Sequence, residues 1–171
     1  MDASPLVVVM GISGVGKSAV GHELADRFGV EYVDGDDFHS EANIAKMSAG
    51  TPLTDDDRWP WLEDIGRWLA QHGASGGVVS CSALRRVYRD VLTDAAPRTL
   101  FLHLTGSHDL IRSRMEGRDH FMPLSLLESQ EKTLEPLQDD ERGWDLDIAP
   151  SPAEIVDEFV KKAGLEEGTG A

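Results

Sequence analysis

The segment Gly11-Ile-Ser-Gly-Val-Gly-Lys17-Ser18 constrains this chain more than any other eight residues. It follows Leu6-Val-Val-Val-Met10, which is short, β-branched and apolar on both faces, as a strand inside a parallel sheet is. It leads into Lys17 to Phe28, where Val20, Leu24 and Phe28 recur at helical spacing and Gly29 stands where a left-handed C-cap belongs. Strand, glycine loop and helix in that order supply the mechanical context of the G-x-x-x-x-G-K-[ST] pattern. Gly11, Gly14 and Gly16 permit a tight turn in which backbone N–H groups, those of Ser13 and Val15 among them, converge on one anion. The first helical turn adds its own amides and the positive end of its dipole. Lys17 then reaches the β- and γ-phosphates of ATP, and the Ser18 hydroxyl is a ligand for Mg²⁺. The motif specifies a nucleotide and leaves the second substrate open.

Further strands and helices alternate behind it. Val30–Val33, Gly77–Cys81, Arg98–Leu104 and Asp145–Ile148 read as strands two to five. Helices are expected over Ser40–Met47, Asp56–Gln71, Ala83–Leu92, Asp109–Met115, from Ser125 onward, and over Ser151–Ala163. Ser125 with Glu128, and Ser151 with Glu154, have capping-box spacing; Pro152 sits at a first helical position. The pattern predicts a three-layer α/β/α P-loop NTPase fold: a five-stranded parallel sheet covered on both faces. With 171 residues and no internal repeat, one domain over 1–171 is expected, with a frayed tail over 164–171.

Charge sharpens the list of partners. The 31 acidic residues outnumber the 16 basic ones, for a net charge of −15. Such a surface repels nucleic acid and anionic membrane, so an anionic substrate needs a local cationic patch. The apolar run at Leu6–Met10 is far too short to span a bilayer, and no basic segment precedes it as in a secretory leader, so a cytoplasmic location is expected. A lone cysteine, Cys81, excludes an intrachain disulfide and reads as a reduced, buried thiol.

The acceptor side of the chemistry has its own signature. Asp34-Gly-Asp-Asp-Phe-His39 lies just past the second strand, at the sheet edge where α/β proteins bind ligands. Of Asp34 and Asp36, one carboxylate suits the metal side and the other suits orienting an acceptor hydroxyl and taking its proton. No aspartate ends Val78-Val79-Ser80-Cys81, which argues against motor-type NTPases. Cations for an anionic substrate are offered by Arg58, by Arg85, Arg86 and Arg89, and by Arg112, Arg114 and Arg118. Arginines in a mobile segment can close over phosphates and exclude water. His39 and His120 lie in expected site loops, while His22, His72, His103 and His108 share no metal-ligand spacing, so no zinc site is expected. The tryptophans Trp59, Trp61 and Trp68 read as core or loop anchors.

Taken together, the strings resemble the small P-loop gluconokinases. They are Gly11–Ser18, Asp34–His39, Asn43-Ile-Ala-Lys-Met47, Gly50–Arg58 with Pro60-Trp-Leu62, Cys81–Arg86 with Tyr88-Arg-Asp90, His120-Phe-Met-Pro123, Ser129-Gln130 and Thr133–Pro136. They run in order through nearly the whole chain. The resemblance implies ATP- and Mg²⁺-dependent phosphorylation of D-gluconate at its 6-hydroxyl, feeding the pentose phosphate route, a core like that of shikimate and nucleoside kinases, and commonly a homodimer. It implies Lys17, Asp36 and Arg118 as catalytic groups, with Asp36 at the acceptor hydroxyl and Asp34 on the metal side with Ser18. It also implies Arg58, His39, Arg86 and His120 at the substrate, and a mobile lid at about 114–124 with Arg114 and Arg118 as its arginines. The lid string departs from the family's Arg-x-Gly-His-Phe: Arg118-Asp119-His120-Phe121 is one residue shorter and lacks the glycine. Rival readings are a kinase for another hydroxy acid such as shikimate, and a non-catalytic nucleotide-binding regulatory domain.

Overall fold

In the computed structural model, residues 4–12, 14–116 and 124–165 are described. Strand β1 (Leu6–Met10) is followed by α1 (Lys17–Phe28), β2 (Tyr32–Asp34), a single 3₁₀ turn (Gly35–Phe38), α2 (Glu41–Ser48) and α3 (Asp55–Gln71). Then come β3 (Gly77–Ser80), α4 (Arg86–Ala95), β4 (Leu100–Thr105), α5 (His108–Glu116), α6 (Leu124–Thr133), β5 (Gly143–Asp147) and α7 (Pro152–Ala163).

All five strands are parallel, in the order β2-β3-β1-β4-β5. β1 is central, and its five residues are fully buried, as an apolar strand with helices on both faces must be. Helices α1 and α7 pack together, as do α3 and α4, giving the expected three layers. One core joins β1, β3 and β4 to Leu24, Leu62, Ile65, Leu92 and Phe159 from these helices.

Several boundaries fall elsewhere than expected, for tertiary reasons. Val30 belongs to the end of α1: Gly29 is left-handed and the Val30 amide donates to the Ala25 carbonyl at 3.0 Å, so β2 begins two residues later. The helix after β3 starts at Arg86 instead of Ala83. Residues 81–85 instead run along the cleft, with Ala83 at φ 45° and its carbonyl taken by the buried Arg89 guanidinium at 2.9 Å. Helix α3 starts one residue early because Thr54 and Asp57 form a reciprocal capping box. The box at Ser151 and Glu154 forms as expected. Helix α6 begins at Leu124, one residue before Ser125, whose side chain lies outside the described atoms. Of the expected tail, Gly164 closes α7 in a left-handed cap and Leu165 packs on the core; 166–171 lie outside the described residues. Among the described residues no helix is long and apolar enough to cross a membrane.

Candidate active site

The carboxyl ends of β1, β2 and β3 open into one cleft. The phosphate loop enters it after Met10 with Gly14 and Gly16 at φ 88° and 90°, a left-handed geometry that L side chains rarely adopt. Lys17 opens α1, and its ammonium donates to the Gly11 and Ile12 carbonyls at 2.9 and 3.0 Å, closing the loop on itself. Burial lowers the Lys17 pKa; Asp36, Cys81 and Asp34 oppose it. Ser13 lies outside the described residues.

β2 delivers the two carboxylates. Asp34 caps the 3₁₀ turn by accepting from the Asp36 amide at 2.9 Å, and it also accepts from the Ser80 hydroxyl at 3.3 Å. The glycine between the aspartates is obligatory: a Cβ at Gly35 would come within 2.2 Å of the Ser80 carbonyl. The Gly35 carbonyl accepts from the Trp61 indole at 2.7 Å, tying the turn to α3. Asp36 keeps 73% of its side chain open to the cleft, yet the crowding walls and then Asp34 raise its carboxyl pKa, with Lys17 opposing. A raised carboxyl is a better proton acceptor when deprotonated.

His39 is buried and stacked on Trp61, with ring centroids 4.1 Å apart. Its Nδ1 lies 3.3 Å from the Asn43 amide nitrogen, which also donates to the Asp57 carbonyl at 3.0 Å. The second bond fixes which end of the Asn43 amide is nitrogen. Nδ1 of His39 is therefore the acceptor, and Nε2 carries the proton, 3.8 Å from an Asp36 oxygen. Burial, and then the Arg58 charge, push the His39 pKa down to about 4, so the ring is neutral. Arg58 donates to the Tyr88 hydroxyl at 3.0 Å. Tyr88 in turn donates to Asp55, which Arg85 contacts at 2.7 Å. Cys81 is buried in the cleft floor, and desolvation pushes its thiol up to about 12.

The fold thus brings Lys17, Asp34, Asp36, His39 and Arg58 to one cavity, together with Trp61, Ser80, Ser129 and Gln130. Ser18 does not line it; its hydroxyl lies 3.3 Å from that of Tyr32, which in turn meets Ser80 of the lining at 2.9 Å. Arg86 is not brought there: Asp90 and Asp140 hold its guanidinium at 2.8 Å, in a separate depression that they line with it. Arg89 is also structural, wholly buried against Glu141. Arg114 sits in a second depression beside the loop, lined by Val15, Gly16 and residues 148–152, with its guanidinium 2.8 Å from the Ile148 carbonyl. Arg118, His120 and the lid positions 117–123 lie outside the described residues. Among residues that carried no role in the sequence, Tyr32 and Ser80 were hidden because the partners that join them lie far away in the chain, whereas Asn43 stands one helical turn from His39, a spacing that could have pointed to it.

Among the described residues no group of three or more His, Cys, Asp or Glu is arranged for a metal. The hard oxygens of Ser18 and Asp34 nevertheless suit Mg²⁺, which keeps most of its waters and is held by one or two protein oxygens plus phosphate.

Residues 6–137 match the AAA domain family. The chain is 44% identical to the thermosensitive gluconokinase of Escherichia coli K12, over 79% of this chain and 74% of that one. It is 40% identical to the gluconokinase of Gluconobacter oxydans, over 94% and 92%. This chain belongs to the gluconokinase family. A gluconokinase structure from Sinorhizobium meliloti superposes with a TM-score of 0.87 at 46% identity, covering 96% of this chain and 94% of that one. Membership at this coverage makes the chain a kinase of the P-loop class.

Proposed function

We propose that this kinase transfers the γ-phosphoryl group of ATP to the 6-hydroxyl of D-gluconate, giving 6-phosphogluconate and ADP. The observation that carries the reading is the convergence of Asp36, neutral His39 and Arg58 on the cleft that Lys17 enters. Asp36 orients the 6-hydroxyl and accepts its proton as the oxygen attacks the γ-phosphorus and the bond to the β,γ-bridging oxygen breaks. His39 donates from Nε2 to a substrate hydroxyl, and Arg58 faces the carboxylate as a fixed, forked cation. Lys17 leaves the Gly11 and Ile12 carbonyls for the β- and γ-phosphates, and the amides of Gly11, Ser13, Gly14, Val15 and Gly16 cradle them.

Ser18 and Asp34 would hold Mg²⁺, which when bound neutralises phosphate charge. Arg114 and the 148–152 loop form the nucleotide's outer wall, while Arg118 and His120 act from the lid over 114–124. Arg86 is left out of this reading because its carboxylate partners hold it away from the cleft. The reading includes a cytoplasmic location, where ATP and Mg²⁺ are at hand, entry of the product into the pentose phosphate route, and a homodimer. A coupled assay with ATP and Mg²⁺ across gluconate, shikimate, other sugar acids and nucleoside monophosphates tests it. Gluconate is expected to turn over fastest, and turnover of another acceptor with none of gluconate would overturn the assignment.

A further inference from the structure

Three hydroxyls and one carboxylate connect the two halves of the cleft. The Ser18 hydroxyl lies 3.3 Å from the Tyr32 hydroxyl, which lies 2.9 Å from that of Ser80, and Ser80 is 3.3 Å from Asp34 Oδ1. Each hydroxyl has one proton to give, and a carboxylate can only accept. The far end therefore sets the direction of the whole chain. Ser80 donates to Asp34, so it accepts from Tyr32; Tyr32 has then spent its proton and accepts from Ser18. The Ser18 proton points away from the phosphate loop, and its lone pairs face the site. The reverse order would aim the Ser18 proton at the place where a cation must sit.

Tyr32 is also wedged so that its hydroxyl stays in place. A Cβ at Gly21 of α1 would come 2.4 Å from the Tyr32 ring, so only glycine leaves room for it. The next helical residue, His22, lies against the same ring with centroids 4.0 Å apart.

We infer that Tyr32 is a positioning residue that relays the Asp34 carboxylate's polarity through Ser80 to Ser18, presenting the Ser18 oxygen to Mg²⁺ as an acceptor. The inference rests on the assignment of Ser18 to the metal. No such role could be read from Tyr32 in the sequence, because it needs β2, β3 and the start of α1 in register. Tyr32→Phe retains the ring in its slot and removes only the relay, while Ser80→Ala cuts the relay on the Asp34 side.

The test is binding of a nonhydrolysable ATP analogue, measured by calorimetry with EDTA and with Mg²⁺, on the native protein and on Tyr32→Phe, Ser80→Ala and Ser18→Ala. Breaking the relay is expected to shrink the Mg²⁺ enhancement of binding by about 2- to 10-fold in Tyr32→Phe and Ser80→Ala, with metal-free affinity unchanged. Ser18→Ala should lose more. A native enhancement in either relay variant alongside a lost one in Ser18→Ala overturns the relay and leaves the metal assignment standing. A native enhancement in Ser18→Ala overturns the metal assignment, and the relay with it.

Discussion

The two walls of the cleft are built by different means. The phosphate loop is a backbone device: its geometry comes from glycines at positive φ, and even the Lys17 ammonium is held by carbonyls of its own loop. The acceptor wall is a side-chain device. His39 depends on Asn43, Asn43 on the Asp57 carbonyl, and Arg58 on Tyr88 from another helix. A backbone site tolerates loss of a side chain without losing its shape, whereas a networked site transmits the loss to its neighbours.

The largest effect should come where the walls meet. Asp36→Asn is expected to lower kcat by about 10²–10⁴-fold while ATP-analogue affinity changes little, the mark of a lost proton acceptor. An equal fall in nucleotide affinity would move Asp36 to the other wall. Lys17→Ala should lower kcat by about 10²–10³-fold, with a native unfolding transition because the loop backbone remains. Steady-state kinetics alongside circular dichroism melts would show whether chemistry and fold separate in this way.

Acid should strike the acceptor wall selectively. The fold holds His39 at a pKa of about 4 against an ordinary 6.5, so the folded state prefers the neutral ring. Its contribution to stability is fully present above about pH 6.5 and is lost as pH falls toward 4, on the order of 2–3 kcal/mol by about pH 4.5. Urea unfolding of native protein and His39→Gln at about pH 7.5 and 4.5 isolates that contribution. The variant should lose less stability on acidification, and identical slopes would count against a neutral buried ring.

Asn43→Ala should cost about 1–3 kcal/mol of stability, because His39 Nδ1 loses its partner in a buried setting. If the ring then takes the other tautomer, KM for gluconate should rise more than kcat falls; an unchanged KM would detach the tautomer from substrate binding. The smallest effect is expected at Arg86→Ala, which removes partly exposed ion pairs worth less than about 1 kcal/mol and leaves KM for gluconate within about twofold. A large rise in KM there would return Arg86 to the acceptor wall.

The same contrast explains what could be read in advance. The strand–loop–helix unit was legible because period, glycine spacing and capping are local, and β1 and α1 occupy the expected residues. Asp34 and Asp36 were legible as a pair because they stand at and just past the end of one strand. The surroundings of Arg86 were not legible, because its sequence position after β3 says nothing about its pairing with Asp140, which is distant in the chain. The start of α4 differs for a related reason: residues 83–85 look helical locally, but Ala83 has a positive φ and its carbonyl is held by Arg89.

The sequence by itself determined the nucleotide half of this protein, since chain-local backbone preferences are enough to make a phosphate cradle. It also determined the parallel sheet, through alternation of apolar strands with amphipathic helices. Only the tertiary structure decided the protonated nitrogen of His39, the outward turn of Arg86 and the relay from Asp34 to Ser18. Each depends on hydrogen-bond partners contributed by separate segments, and direction in a hydrogen-bond network is set by where the nearest obligate acceptor lies in space.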